Sequence, residues 1–266
     1  MTHSLQPVLV SSLQTGDGFV SPRIINGTDA AVGSFPYIVA MSVDFDFQLH
    51  RCAGSLIAPD IVLTTATCIT FQNEMIITTN PYTRENPQDG AEVLSVLEYR
   101  RHPQYDFQKF RNNIGLLKLS NASARPLVTI DPEMEIMDGQ VLQSAGWGTI
   151  VPSRNAVFAN TLQTSELRAV TNRECLNISA TEGDRYDHLR GDSVCAVPLQ
   201  GIPCTGDVGD PLIVPGTTSD EDRLVGILSR GGGDCTSKFL DDGFVVLVDV
   251  GGHVEHRTIT LFRPLP

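Results

Sequence analysis

The sequence predicts an all-β protein of the barrel or sandwich class, and three observations predict it. Short runs rich in branched and aromatic residues recur along the chain, Gly, Pro, Asn and Asp separate them, and only two segments carry a helical signature. At 266 residues, an all-β fold commonly forms one domain of two packed barrels or sheets rather than two separable domains. One packed domain over residues 24–266 is expected, preceded by a tail over residues 1–23.

From Met1 to Arg23 the chain is polar and without periodic pattern, and it ends in Ser21-Pro22-Arg23, as an exposed extended tail does. A strand is then expected from Tyr37 to Val43, between Pro36 and Asp44, and another from Ile61 to Thr65, after Pro59-Asp60. Val93 to Glu98 follows Gly90, Gly115 to Leu119 follows a pair of asparagines, and Val141 to Ala145 lies between Asp138-Gly139 and Gly146. Further strands are expected from Thr161 to Val170, Pro211 to Val214, Leu224 to Ser229 and Phe244 to Val250. Thr171, with Glu174 three residues on, forms a capping box and starts one helix; a second is expected after Gly252, running to the C-terminus. No internal repeat or low-complexity segment interrupts this order.

Net charge is −12 and the Lys and Arg residues are scattered rather than gathered into a stripe, which argues against nucleic acid and anionic membrane as partners. No apolar run approaches the length of about eighteen residues that a membrane-spanning helix needs. Six cysteines make an even count, in spacings unlike a zinc site, and the sequence leaves their pairing open. Sequons at Asn26, Asn121 and Asn177 fit passage through an oxidising secretory compartment and are the glycosylation candidates. The start of the chain lacks the charged segment and apolar core of a signal peptide, so that segment is expected to be absent from this sequence or already removed. A secreted, extracellular protein is expected, with no metal or cofactor.

Several blocks of residues follow one another in a specific order. Arg23-Ile24-Ile25-Asn26-Gly27 comes first, then Gly33-Ser34-Phe35-Pro36-Tyr37, then Cys52-Ala53-Gly54-Ser55-Leu56-Ile57 and Val62-Leu63-Thr64-Thr65-Ala66-Thr67-Cys68. His102-Pro103-Gln104-Tyr105 precedes Asn112-Asn113-Ile114-Gly115-Leu116-Leu117-Lys118-Leu119. Ala145-Gly146-Trp147-Gly148 and Cys204-Thr205-Gly206-Asp207-Val208-Gly209-Asp210-Pro211-Leu212 complete the series. Together they resemble the trypsin/chymotrypsin family of serine proteases across almost the whole chain after residue 23. The resemblance implies a trypsin-like double β-barrel with a C-terminal helix, and disulfides Cys52–Cys68, Cys175–Cys195 and Cys204–Cys235. Each would close a short loop and contribute roughly 3 kcal/mol by constraining the unfolded chain.

The same resemblance places the family's catalytic histidine at Thr67, its aspartate at Asn113 and its serine at Val208. Peptide hydrolysis by this route needs a hydroxyl to attack, an imidazole to take and return the proton, and a carboxylate to orient that imidazole. Valine offers only methyl groups, threonine has no lone pair that takes a proton near neutral pH, and asparagine carries no charge to stabilise an imidazolium. The expectation is a non-enzyme.

The pocket positions have changed too. Its floor maps to Ile202, where a trypsin has an aspartate, and Arg230 stands where a flat indole usually lines the groove. Asp210 replaces a glycine of the nucleophile loop, and its Cβ is expected to alter the turn. Arg23-Ile24 resembles the activation junction and Asp207 the aspartate that receives the freed amino group. Cleavage in the service of folding and an inherited, never-cut junction both stay open.

Other candidates read as structural. His253 and His256 share a helical face but lack a third metal ligand. His50 has no nucleophile beside it, His102 belongs to a His-Pro turn, and His3 and His188 lie in exposed segments. Trp147 is expected to pack at a strand end. The polar stretch Asn177 to Arg190 is a solvated or partner-binding loop.

The expected function is that of an inactive, secreted serine protease homologue binding an extracellular protein, as inhibitor, decoy or cofactor in a proteolytic cascade such as host complement. The pattern is similar to inactivated protease paralogues of parasitic mites, some of which interfere with complement. The alternatives are a structural or storage protein without a specific partner and an enzyme with relocated catalytic residues.

Overall fold

The computed structural model describes residues 24–25, 27–43, 46–70, 75–84, 90–131, 133–150, 157–180, 193–230 and 245–249. A short strand β1 (Thr28–Asp29) precedes six strands that form a closed antiparallel barrel: β2 (Ile38–Val43), β3 (Asp46–Ala58), β4 (Ile61–Thr64), β5 (Met75–Thr79), β6 (Glu92–Arg101) and β7 (Gly115–Leu119). Around the barrel the order is β2-β3-β4-β7-β6-β5, and β5 pairs back onto β2 with Met41 opposite Ile77. Closure leaves no unpaired strand edge in this half.

The second half begins with β8 (Thr129–Ile130) and β9 (Val141–Gly146), then β10 (Gln163–Val170) and β11 (Ser193–Gln200), and ends with β12 (Pro211–Val214), β13 (Arg223–Arg230) and β14 (Val245–Asp249). The path β10-β11-β14-β13-β12-β9 returns to its start because β9 pairs with β10, Ser144 opposite Ser165. β1 joins its edge through Thr28 and Thr164. The fold is the trypsin-like double β-barrel expected from the sequence.

Every expected strand is present, with ends shifted by a few residues at most. Five further strands, the two-residue β1 and β8 among them, had no clear signal. β3 starts in the polar run Asp46-Phe47-Gln48-Leu49-His50-Arg51, β5 is short, and β11 contains Pro198, which argues against a strand interior. Pro198 is accommodated opposite Leu167, where the register slips at a bulge.

The expected helix at Thr171 is α1 (Asn172–Ala180), the only α-helix among the described residues. Thr171 Oγ1 accepts the Glu174 N–H at 3.1 Å, the cap predicted from the sequence. The helix is held to β11 by Cys175–Cys195, and Cys52–Cys68 ties β3 to the short 3₁₀ turn Cys68–Thr70. Cys204 is disulfide-bonded as well, while Cys235, the tail and the expected C-terminal helix lie outside the described residues.

One large core runs through both halves. Tyr37, Ile38, Leu56, Leu63 and Leu117 of the first barrel share it with Trp147, Ile213, Leu224 and Ile227 of the second. Trp147 is fully buried just beyond the end of β9. A second cluster, Leu142, Leu167, Ala196, Leu212 and Leu228, fills the interior of the second barrel. The seam between the two halves is where the positions singled out in the sequence meet.

Candidate functional site

Thr67 sits between the end of β4 and the 3₁₀ turn, Asn113 two residues before β7, and Val208 in the tight loop ahead of β12. The fold gathers all three. Thr67 N–H and Thr67 Oγ1 both donate to Asn113 Oδ1, each at 2.9 Å, and Asn113 Nδ2 donates to Ser229 Oγ of β13 at 2.8 Å. Because the Thr67 hydroxyl gives its hydrogen to Asn113, the Tyr105 hydroxyl, 2.9 Å away, is the donor in their contact. The hydrogen bonds therefore run in one direction, Tyr105 to Thr67 to Asn113 to Ser229.

Val208 closes the group through its backbone. Its carbonyl accepts the Ala53 N–H at 2.9 Å and lies 3.6 Å from the Cys68 sulfur, and its side chain packs half-buried against the main core. Gly206 and Gly209 on either side adopt φ of 97° and 91°, left-handed values that favour glycine, and the Gly209 N–H is bonded to Leu228 O at 2.8 Å. The nucleophile loop is thus built and held, with an isopropyl group at its apex.

No member of this chain can take a proton near neutral pH. Burial raises the Tyr105 phenol above its ordinary value, although the Thr67 hydrogen bond and Arg101 act against that rise. Asn113 is completely buried and neutral. The arrangement holds hydroxyls and an amide in mutual satisfaction.

The charged chemistry lies one layer deeper. Asp207 and Asp210 are both fully buried, and their carboxyls meet over Gly146, where even a single added carbon would overlap Asp210 Oδ2. Asp207 accepts the Gly148 N–H at 2.7 Å and the Cys204 N–H at 2.8 Å. Its carboxyl is nevertheless pushed up to about 6, because burial outweighs the hydrogen bonds from Cys204, Asp210 and Gly148. Asp210 has no backbone or neutral side-chain donor for either oxygen. Burial first, and then the neighbouring Asp207 charge, hold it well above the usual carboxylate range, so Asp210 keeps its proton and gives Asp207 a hydrogen bond.

This changes the reading of Asp210. Its backbone is not left-handed, its N–H bonds to Asp207 O at 3.0 Å and its carbonyl accepts the Leu228 N–H at 2.9 Å. Being fully buried, it does not line an open groove. The consequence of replacing the glycine is a second acid beneath the loop.

Ile202 is half-buried against Ile25 and Cys204, and its N–H bonds to Ile25 O at 3.0 Å. Arg230 lies opposite Val246 at the end of β13, and its side chain is outside the described residues. Ile24 is fully buried. In the uncut chain it carries an amide rather than an ammonium, and Arg23 lies outside the described residues. Asn121 and Asn177 are exposed; Asn26 is outside the described residues.

Of the remaining candidates, His102 Nδ1 accepts the Gln104 N–H at 3.2 Å within its turn. His50 lies in β3, and His3, His188, His253 and His256 are outside the described residues. Sequence reasoning did not assign roles to Tyr105 and Ser229 in the hydrogen-bonded chain. The only available signal was the presence of Tyr105 in the block that opens with His102.

Comparison with known proteins agrees with this geometry. Residues 24–248 match the family model described as Trypsin. Mouse cathepsin G is 31% identical over 204 residues, covering 69% of this chain and 76% of that protein. Trypsin iota of Drosophila melanogaster is 26% identical, covering 79% and 78%, and rat granzyme M is 28% identical, covering 82% of each. With the match spanning both barrels, the chain belongs to the trypsin family of serine protease homologues.

Proposed function

We propose that this member of the family is catalytically inactive, is secreted, and acts by binding another extracellular protein, as an inhibitor, decoy or cofactor in a proteolytic cascade such as complement. One observation carries the reading. At the apex of the loop between Gly206 and Gly209 stands Val208, and Thr67 and Asn113 are bonded to each other rather than poised for proton transfer. A valine side chain forms no acyl-enzyme. Disulfides support secretion, since they persist in oxidising compartments.

The test is direct. The purified chain, before and after trimming at Arg23 with trypsin that is then removed, is offered a panel of chromogenic peptides and a fluorescent serine-directed phosphonate. Neither hydrolysis nor labelling is expected. Stoichiometric labelling, or turnover that co-purifies with the chain, refutes the reading.

A further inference from the structure

We propose that the segment Arg100–Arg111 is a docking loop for an acidic protein segment that carries an aromatic or aliphatic anchor. The inference rests on the reading that this chain acts by protein binding, and it names the surface and the chemistry of the partner.

The loop is built to hold an aromatic side chain outward. Phe107 is 61% exposed, packed edge-on against Tyr105 with ring centroids 6.5 Å apart and tilted against Phe110 at 6.0 Å. Asp106 N–H bonds to Arg111 O at 3.0 Å, and Asp106 Oδ1 accepts the N–H groups of Gln108 and Lys109 at 3.0 and 3.1 Å. Asn112 Nδ2 closes the neck onto Gln104 O at 3.0 Å. Phe110 and Asn112 hold φ of 53° and 50°, values that surrounding structure must impose on residues other than glycine. At the base, Tyr105 is fastened to Thr67. A pre-organised, exposed aromatic ring loses little freedom on binding, which is the property of an interface anchor.

Charge identifies the partner. Arg100, Arg101, Lys109 and Arg111 are four of the chain's 19 Lys and Arg residues, while Asp106 is the loop's only representative of its 31 Asp and Glu residues. Arg101 and Lys109 are exposed, and Arg100 pairs with Glu98 at the end of β6. On a molecule of net charge −12 this is a local reversal of sign. An extended anionic surface, whether a membrane or a nucleic acid, would meet the acidic body as well as the loop. A narrow acidic peptide segment touches the loop alone, within the screening distance of about 8–10 Å.

The probe is a fluorescent peptide of about twelve residues in which Glu alternates with Phe and Leu, compared with a peptide of equal charge whose apolar positions are Gly. Anisotropy is measured at low and at physiological salt for the parent, Phe107→Ser and Lys109→Glu, both exposed positions whose replacement leaves the core untouched. The parent should bind the first peptide in a salt-dependent manner, with a loss of about tenfold for each substitution and a similar loss for the Gly peptide. Absence of binding, or binding indifferent to both substitutions, overturns the proposal. So does loop-dependent binding of phosphatidylserine vesicles or of a single-stranded oligonucleotide in place of the peptide. Hydrolysis of the chromogenic panel is a separate readout, and it sinks the inactive reading without touching the peptide result.

Discussion

Replacing Asp210 by Asn should raise stability near neutral pH and change its pH dependence, because the parent buries two carboxyls where the variant buries one. Both groups have folded pKa values raised above the ordinary carboxylate value, so over the affected range the folded chain binds more protons than the unfolded one. Stability is then fully present below about pH 4 and is lost as pH rises toward the folded pKa. For Asp207, a rise from 3.8 to about 6 corresponds to about 3 kcal/mol lost across that window. Asp210 adds up to about 1.4 kcal/mol per pH unit wherever it stays protonated only in the folded chain. In the Asp210→Asn protein that second slope disappears, while the amide still donates to Asp207. Urea melts of both proteins at several pH values from 4 to 8 give the difference directly, and carboxylates common to both cancel. The variant should gain on the parent steadily as pH rises from 4. A difference that is constant across pH, or one that shrinks, shows that Asp210 is not a buried, proton-holding acid and refutes the argument.

Asn113→Ala leaves the half-buried Thr67 N–H and the buried Ser229 hydroxyl without their partner, at a cost of roughly 1–3 kcal/mol measurable by the same melts. Cys52→Ala with Cys68→Ala opens the loop between positions 16 residues apart and should cost about 3 kcal/mol, seen as a lower melting midpoint; an unchanged midpoint contradicts it. Thr67→His, Asn113→Asp and Val208→Ser together restore the chemical groups but leave Ile202, Asp210 and Arg230. Since a displacement of about 1 Å can cost about 100-fold in rate, the revertant should stay at least about that far below an active trypsin on the same peptides. Ordinary protease rates would show that the groove is intact.

How much of this was legible beforehand follows from which interactions are local. Strands such as Gly115–Leu119 and Pro211–Val214 announce themselves through composition and flanking turn residues, and the cap at Thr171 is a three-residue relation. The positions Thr67, Asn113 and Val208 were found through the order of short blocks. Their bonding was not, since Asn113 reaches Ser229 across 116 residues and Tyr105 meets Thr67 across 38. β11 hid behind Pro198, which sits in the strand beside a bulge at Leu199. Asp210 is a different kind of case. Its identity was noted as a backbone problem, yet its effect depends on Gly146 lying beneath it and on Asp207 turning toward it, neither of which sequence spacing reveals.

The bonds from Thr67 through Asn113 to Ser229 also have a consequence for how such a chain can diverge. They cross from the first barrel to the second, so Thr67, Asn113 and Ser229 act as a rivet between the two halves. A rivet is selected for fit, and its members must change as matched sets of donors and acceptors. Among close relatives sharing this architecture, a carboxylate at position 113 without a new donor at 67 or 229 should be rarer than paired exchanges. Positions joined in this way do not drift freely; the orientation of the barrels keeps them under constraint.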